Sequence, residues 1–298
     1  MNPPEFNTNV ITELLSWIED NLEQPLLLDD VARKAGYSKW HLQRTFKNIT
    51  GLALGGYIRS RRLCRAAIAL RLTRQPILNI AIQYQFDSQQ TFTRRFKAHF
   101  NITPAAYRRS PYWDASALQP PLDLHMTSLP VPHMMDLPAF SLYGNTYHYA
   151  CPLEHVSSVH AQIRKRFWID FLKKLTPTPS LCYALTHYEA GDREHEPVDI
   201  SYTITTESPA ADHLTHIEIP PGRYACFHFD GSVEEYRDFA LKIYMYVLPN
   251  LKLLRRDGHD IERFRVEQGD FNEAVTQLSC DYLVPVLDQY SPGDKDGC

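Results

Sequence analysis

Leu28–Lys47, LDDVARKAGYSKWHLQRTFK, reads as a helix, a tight turn and a second helix. Leu28, Val31 and Ala32 share one face of the first helix at i, i+3, i+4 spacing; Gly36 supplies the permissive backbone of the turn, and Ser38 is an N-cap for the second helix. That helix buries Leu42 and Phe46, which puts Lys39, Trp40, Gln43, Arg44 and Lys47 outside. Folding alone gives no reason to expose that set. These groups hydrogen-bond base edges, contact thymine methyls and neutralise phosphates, which predicts a helix-turn-helix.

The same grammar returns about fifty residues later as LNIAIQYQFDSQQTFTRRFK, Leu78–Lys97. Val31-Ala32 answers to Ile80-Ala81 and Tyr37 to Phe86. After a one-residue adjustment Ser38 answers to Ser88, Leu42 to Phe92, Arg44 to Arg94, Phe46 to Phe96 and Lys47 to Lys97. The second outer face is Gln89, Gln90, Thr93, Arg94 and Lys97. Two copies are a duplicated module, too few for a solenoid. Between them Tyr57–Arg71, YIRSRRLCRAAIALR, reads as one amphipathic helix with Leu63, Ala67 and Leu70 inward and Arg59, Arg62 and Arg65 outward.

With both modules in view, residues 8–111 resemble the DNA-binding domain of the AraC/XylS family. The strings AGYSKWHLQR, YQFDSQQTFTRRFK and ITPAAYRRSP are most similar to its MarA/SoxS/Rob branch. The resemblance implies an all-α domain with two helix-turn-helix modules. The outward positions of Trp40, Gln43 and Arg44 make them candidate base contacts, and Gln89, Gln90, Thr93 and Arg94 are the candidates on the second face. Phosphate contacts fall to Lys39, Lys47, Arg59, Arg62, Lys97, Arg108 and Arg109. The second face lacks a large apolar group corresponding to Trp40, so it serves either bases or backbone.

The net charge of −4 hides a division. Residues 1–112 hold 16 Lys+Arg against 8 Asp+Glu, a net of +8, while the remainder holds 15 against 27, a net of −12. A basic small domain suits phosphate neutralisation and predicts steeply salt-dependent binding; an acidic second half argues against further nucleic-acid contact there. In 298 residues no apolar run approaches the ~18 that span a bilayer, and the amino terminus shows no signal-peptide pattern, so a cytoplasmic protein is expected. Cys64, Cys151, Cys182, Cys226, Cys280 and Cys298 have no CxxC spacing and read as free, mostly buried thiols. His213 and His216 lack a second ligand pair, so neither a metal nor a cofactor is expected.

Asn7–Asn21 is expected as the opening helix, capped by Thr8 or Asn9, with Ile11, Leu14, Leu15 and Ile18 on its apolar side and Trp17 beside them in a structural role. Pro25 and Pro76 break the chain ahead of each module, and Ile102–Arg109 closes the second. The domain limits are then 1–112 for DNA, 113–135 as a Pro-rich linker with an edge strand around 123–127, 136–290 as a second domain and 291–298 as a flexible tail.

The second domain alternates. Strands are expected at 140–149, 180–187, 199–206, 216–218, 222–230, 261–266 and 277–286, with long helices at 154–175 and 232–249. This is an α+β pattern with an internal pseudo-repeat. IPPGRYACFHFDG, GHDIERF and CDYLVPV are similar to the gyrase-inhibitor-like effector-binding domain. That resemblance implies an antiparallel sheet with two long helices and a cleft for amphipathic or cationic ligands. Glu262 would be its buried acid, with Asp281 second, and Tyr147, Tyr149, Trp168, Tyr183 and Tyr202 its aromatic walls. Each aromatic also reads as ordinary core, and Glu262 beside Arg263 as a surface ion pair.

No GxSxG, phosphate-cradling glycine loop or HExxH is present, so a non-enzyme is expected. The leading expectation is a monomeric regulator that activates stress or multidrug-tolerance genes from asymmetric sites of about 20 base pairs, with RNA polymerase as a partner, no membrane, and a small-molecule effector. The alternative is a constitutive DNA binder whose second domain is a protein-interaction surface. A weak Glu262-dependent hydrolase is a distant third.

Overall fold

Ile11, Leu14, Leu15 and Ile18, spaced to share one face, are all buried and seat the first helix, α1 (Pro3–Asp20). In the computed structural model, which describes residues 3–124, 128–153, 160–175, 179–191, 198–209, 214–266 and 277–287, α1 starts earlier than Asn7. Thr8 therefore lies inside α1 instead of capping it, its carbonyl accepting from the Thr12 hydroxyl at 2.9 Å. Prolines are tolerated in a first helical turn, where the missing N–H has no partner to lose.

By internal packing the chain forms two units, one of residues 1–71, 75–110 and 117–128, the other of residues 72–74, 111–116 and 129–298. The first is all-α. Its modules are α2 (Leu28–Ala35) with α3 (Lys39–Thr50), and α5 (Ile77–Gln83) with α6 (Gln89–Phe100); α4 (Leu54–Leu72) runs between them and α7 (Pro104–Arg109) comes after. The repeat extends to backbone geometry. Gly36 and Gln85 occupy equivalent turn positions with φ of 68° and 63°, and each following residue donates back to a helix carbonyl, Tyr37 to Ala32 and Phe86 to Ala81. Ser38 accepts from the His41 N–H and Ser88 from the Thr91 N–H. Both second helices end on a left-handed residue, Gly51 or Asn101, whose N–H bonds to Lys47 or Lys97. Gln83 and Gln85 tie the second module to Glu23, through its carboxylate at 2.9 Å and its carbonyl at 2.7 Å.

The Pro-rich stretch, expected as a partly extended linker with an edge strand, carries local structure. Strand β1 (Trp113–Asp114) pairs with β8 (Leu254–Arg255), while Leu118 is buried and Leu122 and Leu124 pack on the core of the first module. Strand β2 (His133–Leu137) edges the large sheet, whereas residues 122–124 form no strand and residues 125–127 lie outside those described. Leu118, Leu122 and Leu124 each gain by burial, which composition averages away.

Among the described residues the second unit holds an antiparallel sheet of eight strands, the separate β1–β8 pair and two long helices, in line with the α+β expectation. Its remaining strands are β3 (Phe140–Cys151), β4 (Leu181–Ala190), β5 (Val198–Thr206), β6 (Thr215–Ile219), β7 (Gly222–Ser232), β9 (Asp260–Arg265) and β10 (Gln277–Pro285), in the order β2-β7-β10-β9-β4-β5-β3-β6. Helix α8 (His160–Lys173) comes after β3; α9 (Val233–Lys242) comes after β7 and continues through a π-helical turn, Ile243–Val247, to Asn250. The pseudo-repeat is explicit. Within the large sheet each half is a strand, a helix and two further strands, and the last strand inserts between the other two: β5 between β3 and β4, β10 between β7 and β9. The halves join at β4–β9. One sheet face carries Leu142, Leu185, Cys226, Ile261 and Leu283, all buried together; residues of the other parity face the helices. The region 154–159 expected to begin the long helix, His213, and the tail with Cys298 fall outside the described residues.

Candidate nucleic-acid interface and interior cleft

Capping and burial fix the orientation of α3. With Leu42, Thr45 and Phe46 buried, Lys39, Trp40, Gln43, Arg44 and Lys47 are exposed, and Trp40 is 65% exposed. The Arg44 guanidinium lies 5.3 Å from the Trp40 ring centroid, an i, i+4 cation–π contact that pre-orders both side chains. Lys39 pairs with Asp29 across the surface at 2.5 Å. Helix α6, with Phe92, Phe96 and Phe100 buried, exposes Gln89, Gln90, Arg94 and Lys97 and half-buries Thr93. It also exposes Arg95, which sequence reasoning misses because it has no counterpart charge in α3.

Two of the expected phosphate contacts are not free to make them. Arg62 Nε and Nη2 donate to the carbonyls of Leu22 and Gln24 at 2.8 and 2.7 Å, satisfying acceptors just beyond the end of α1. Arg108 donates to the carbonyls of Leu70 and Gln75 at 3.2 and 2.6 Å, closing the end of α4. Burial pulls the pKa of both guanidinium groups down, as expected of cations packed against peptide groups. Arg59 and Arg109 are exposed and remain available. A third arginine, Arg61, to which the helical pattern assigns no side, is 2% exposed and bound to Glu19.

Strand parity sorts the cleft candidates. Glu262 pairs with Ala184 and Tyr282, and Tyr147 pairs with Tyr202 across β3–β5; with Tyr149 these lie on the helix-facing side. Asp281 pairs with Arg263, which pairs with Tyr183, so these three lie on the opposite side. The two acids therefore cannot share a pocket. Asp281 is bound by Arg263 at 2.6 Å and His228 at 2.9 Å. Burial opposes its ionisation, but those hydrogen bonds outweigh burial and hold the carboxyl below its usual range. Tyr183 donates to Glu207 at 2.5 Å and is no cleft wall either.

Glu262 is 1% exposed and central. Arg164 of α8 donates to both its oxygens at 3.2 and 3.4 Å, and Tyr236 of α9 donates to Oε1 at 2.5 Å. Neither partner is Arg263, so the surface ion-pair reading of Glu262 is corrected. The Arg164 guanidinium also donates to Thr186 Oγ1 at 3.1 Å and lies 4.3 Å from the Tyr202 centroid. Trp168 Nε1 donates to the Tyr202 hydroxyl at 2.9 Å, which fixes that ring. Tyr147 stacks on Phe167 at 4.2 Å and 12°. Burial and Asp170 push its phenol up to about 12. Two residues before Glu262, Asp260 is wholly buried and receives Arg255 Nη2 at 3.0 Å and the Tyr282 hydroxyl at 2.7 Å, with Tyr244 of the π-helical turn as a further donor. Sequence reasoning misses Arg164, Tyr236 and Asp260. The last was legible in principle, being two residues from Glu262 on one strand.

Among the described residues no helix is long and apolar enough to cross a membrane, and no three His, Cys, Asp or Glu side chains could hold a metal ion together.

Residues 31–110 match the helix-turn-helix domain family model, and residues 130–287 match the GyrI-like small molecule binding domain. The right origin-binding protein of Escherichia coli strain K12 and the transcriptional regulator Rob of Salmonella typhimurium are each 43% identical over 282 residues, 93% of this chain and 98% of the relative. The HTH-type transcriptional activator AarP of Providencia stuartii is 51% identical over 118 residues, 39% of this chain and 87% of the relative. A tandem helix-turn-helix unit joined to a domain of this second kind defines a DNA-binding transcription regulator. The chain belongs to the AraC family as a Rob-like member, with an AraC-type DNA-binding domain followed by a GyrI-like domain.

Proposed function

We propose that this regulator binds asymmetric sites of about 20 base pairs as a monomer and activates stress or multidrug-tolerance genes through RNA polymerase. The observation that carries the reading is the pair of α3 and α6, built alike in caps and core but unlike on their outer faces, which gives one chain two different readers. A palindrome needs identical readers; this chain supplies an asymmetric pair. Similarity to AarP, an activator by its name, supports the direction of regulation. Trp40, Gln43 and Arg44 read bases in one major groove and Gln89, Gln90, Thr93 and Arg94 in the next, with Lys39, Lys47, Arg59, Lys97 and Arg109 on phosphates. Residues 136–290 take a small amphipathic or cationic molecule in a cleft between the two halves of the sheet. The protein is non-catalytic and works where the DNA is, in the cytoplasm. Both oxygens of Glu262 already accept hydrogen bonds from Arg164, which leaves it a poor general base for a hydrolase.

The neutralised, closed state of Glu262 also favours a second reading, a constitutive DNA binder whose second domain engages a protein. A thermal-shift screen of the full chain with amphipathic compounds separates the two, since only the sensor is stabilised saturably by small molecules. Selection of sites from random DNA tests the first half of the proposal, asymmetric sites being expected.

A further inference from the structure

We propose that Gln85 and Gln83 latch the second helix-turn-helix module to the loop that follows α1, and that this latch sets the spacing the chain accepts between the two halves of its DNA site. This rests on the reading of α3 and α6 as two readers of one site, and it names the residues that hold them in register.

The internal repeat singles Gln85 out. The two turns share one geometry, with φ of 68° at Gly36 and 63° at Gln85. A left-handed backbone favours glycine, because a Cβ crowds the neighbouring carbonyl there. Asparagine tolerates it, as Asn101 does at the end of α6, but glutamine has no such advantage. Space does not separate the two turns, since a Cβ on Gly36 would meet no atom within 4 Å. The first turn therefore takes glycine for its conformation alone, whereas the second carries a side chain at a conformational cost. What that side chain reaches explains why it is there. Gln85 Nε2 donates to the Glu23 carbonyl at 2.7 Å, and Gln83 Nε2 donates to Glu23 Oε1 at 2.9 Å.

The receiving loop belongs firmly to the first module. Leu22 is 2% exposed within that module's core, and Pro25 restricts the chain just beyond. The carbonyls of Leu22, Glu23 and Gln24, three in a row, accept from Arg62 Nε, Gln85 Nε2 and Arg62 Nη2. Helix α4 thus holds the loop on either side while the second module holds its middle. A single link between two bodies leaves a rotation about that link, and a second link removes it. Helix α4 is the first link and the glutamine pair is the second.

On DNA the consequence is a fixed spacing. One base pair inserted between the halves moves the second groove by about 3.4 Å and turns it by about 35°. A hydrogen bond does not survive a displacement of that size, so the modules can follow the inserted pair only by giving up the latch. Latched, the chain favours one spacing; unlatched, it tolerates neighbouring ones.

The test is competition binding of the full chain to a selected site and to the same site with one base pair inserted or removed between its halves, for wild type, Gln85→Gly and Gln83→Ala, with urea midpoints of the same proteins. The readout is the ratio of the two affinities, so a general loss of affinity does not enter it. Either change of spacing should weaken wild type about tenfold and Gln85→Gly about twofold, with Gln83→Ala in between. The urea midpoint of Gln85→Gly should be no lower than that of wild type, because glycine relieves the left-handed backbone as the bond is lost. A merely structural Gln85 would do the reverse, lowering the midpoint and leaving the spacing profile alone. Should Gln85→Gly not fold, Gln83→Ala carries the comparison from an ordinary helical position. Equal spacing penalties in wild type and both variants would overturn the latch and leave the two-reader proposal standing, whereas a wild type indifferent to the inserted base pair would overturn both.

Discussion

Replacing Glu19 by Ala strands a buried cation. Arg61 is 2% exposed; its Nε and Nη2 donate to Glu19 at 2.8 and 2.9 Å, and its third nitrogen bonds the Gln119 carbonyl. Tyr57 donates to the same carboxylate at 2.9 Å, its phenol kept protonated by burial and by the adjacent negative charge. The variant removes the countercharge and two of the guanidinium's three hydrogen bonds, so a cost of about 3–5 kcal/mol to the helical unit is expected. Arg61→Met removes the charge at its buried end and leaves Glu19, 14% exposed, to rehydrate and to keep the Tyr57 bond, for about 1–2 kcal/mol. Urea unfolding of the full chain, followed by far-ultraviolet circular dichroism for the helices, gives both midpoints. A Glu19→Ala cost below about 1 kcal/mol, or one no larger than that of Arg61→Met, would show that the pair is solvated and refute the reasoning.

Arg62→Ala and Arg108→Ala should each lower the stability of the helical unit by about 1–3 kcal/mol through orphaned carbonyls, while the salt slope of DNA binding stays the same; Arg59→Ala and Arg109→Ala should do the reverse, each reducing the slope by about 1. Arg44→Ala should cost about 1–3 kcal/mol on the selected site and little on random DNA, in paired affinity measurements. Burial, then the neighbouring His187, depress the pKa of His259, so its folded value lies below 6.5; the stability it permits is present above pH 6.5 and falls as the pH drops below that, and a His259→Gln variant should lose that part of the acid slope in melting experiments.

The helical unit was legible because its signals are local. Apolar spacing marks Leu42 with Phe46 and Phe92 with Phe96, and Ser38 and Ser88 announce their helices. The turn was readable at Gly36 but only by analogy at Gln85, a left-handed residue with a side chain. Arginine roles were not legible, because a charge in a sequence does not say where its guanidinium reaches. Arg59 is exposed and Arg62, three residues on, binds two carbonyls. In the sheet the strands and pseudo-repeat came from alternation, whereas the sides of Glu262 and Asp281 depended on register, which is a property of the pairing and not of either strand. Arg164 was hidden in the run Arg164-Lys165-Arg166, whose other two members are exposed.

Whether α3 and α6 together read one asymmetric site in a single chain is tested most directly by hydroxyl-radical footprinting on a site selected from random DNA, with stoichiometry from sedimentation of the same complex. One chain per duplex is expected, with two unlike protected stretches about one helical turn, ~34 Å, apart, Arg44→Ala weakening one stretch and Arg94→Ala the other. Two chains on a palindromic site, or a footprint confined to one major groove and indifferent to Arg94, would contradict it.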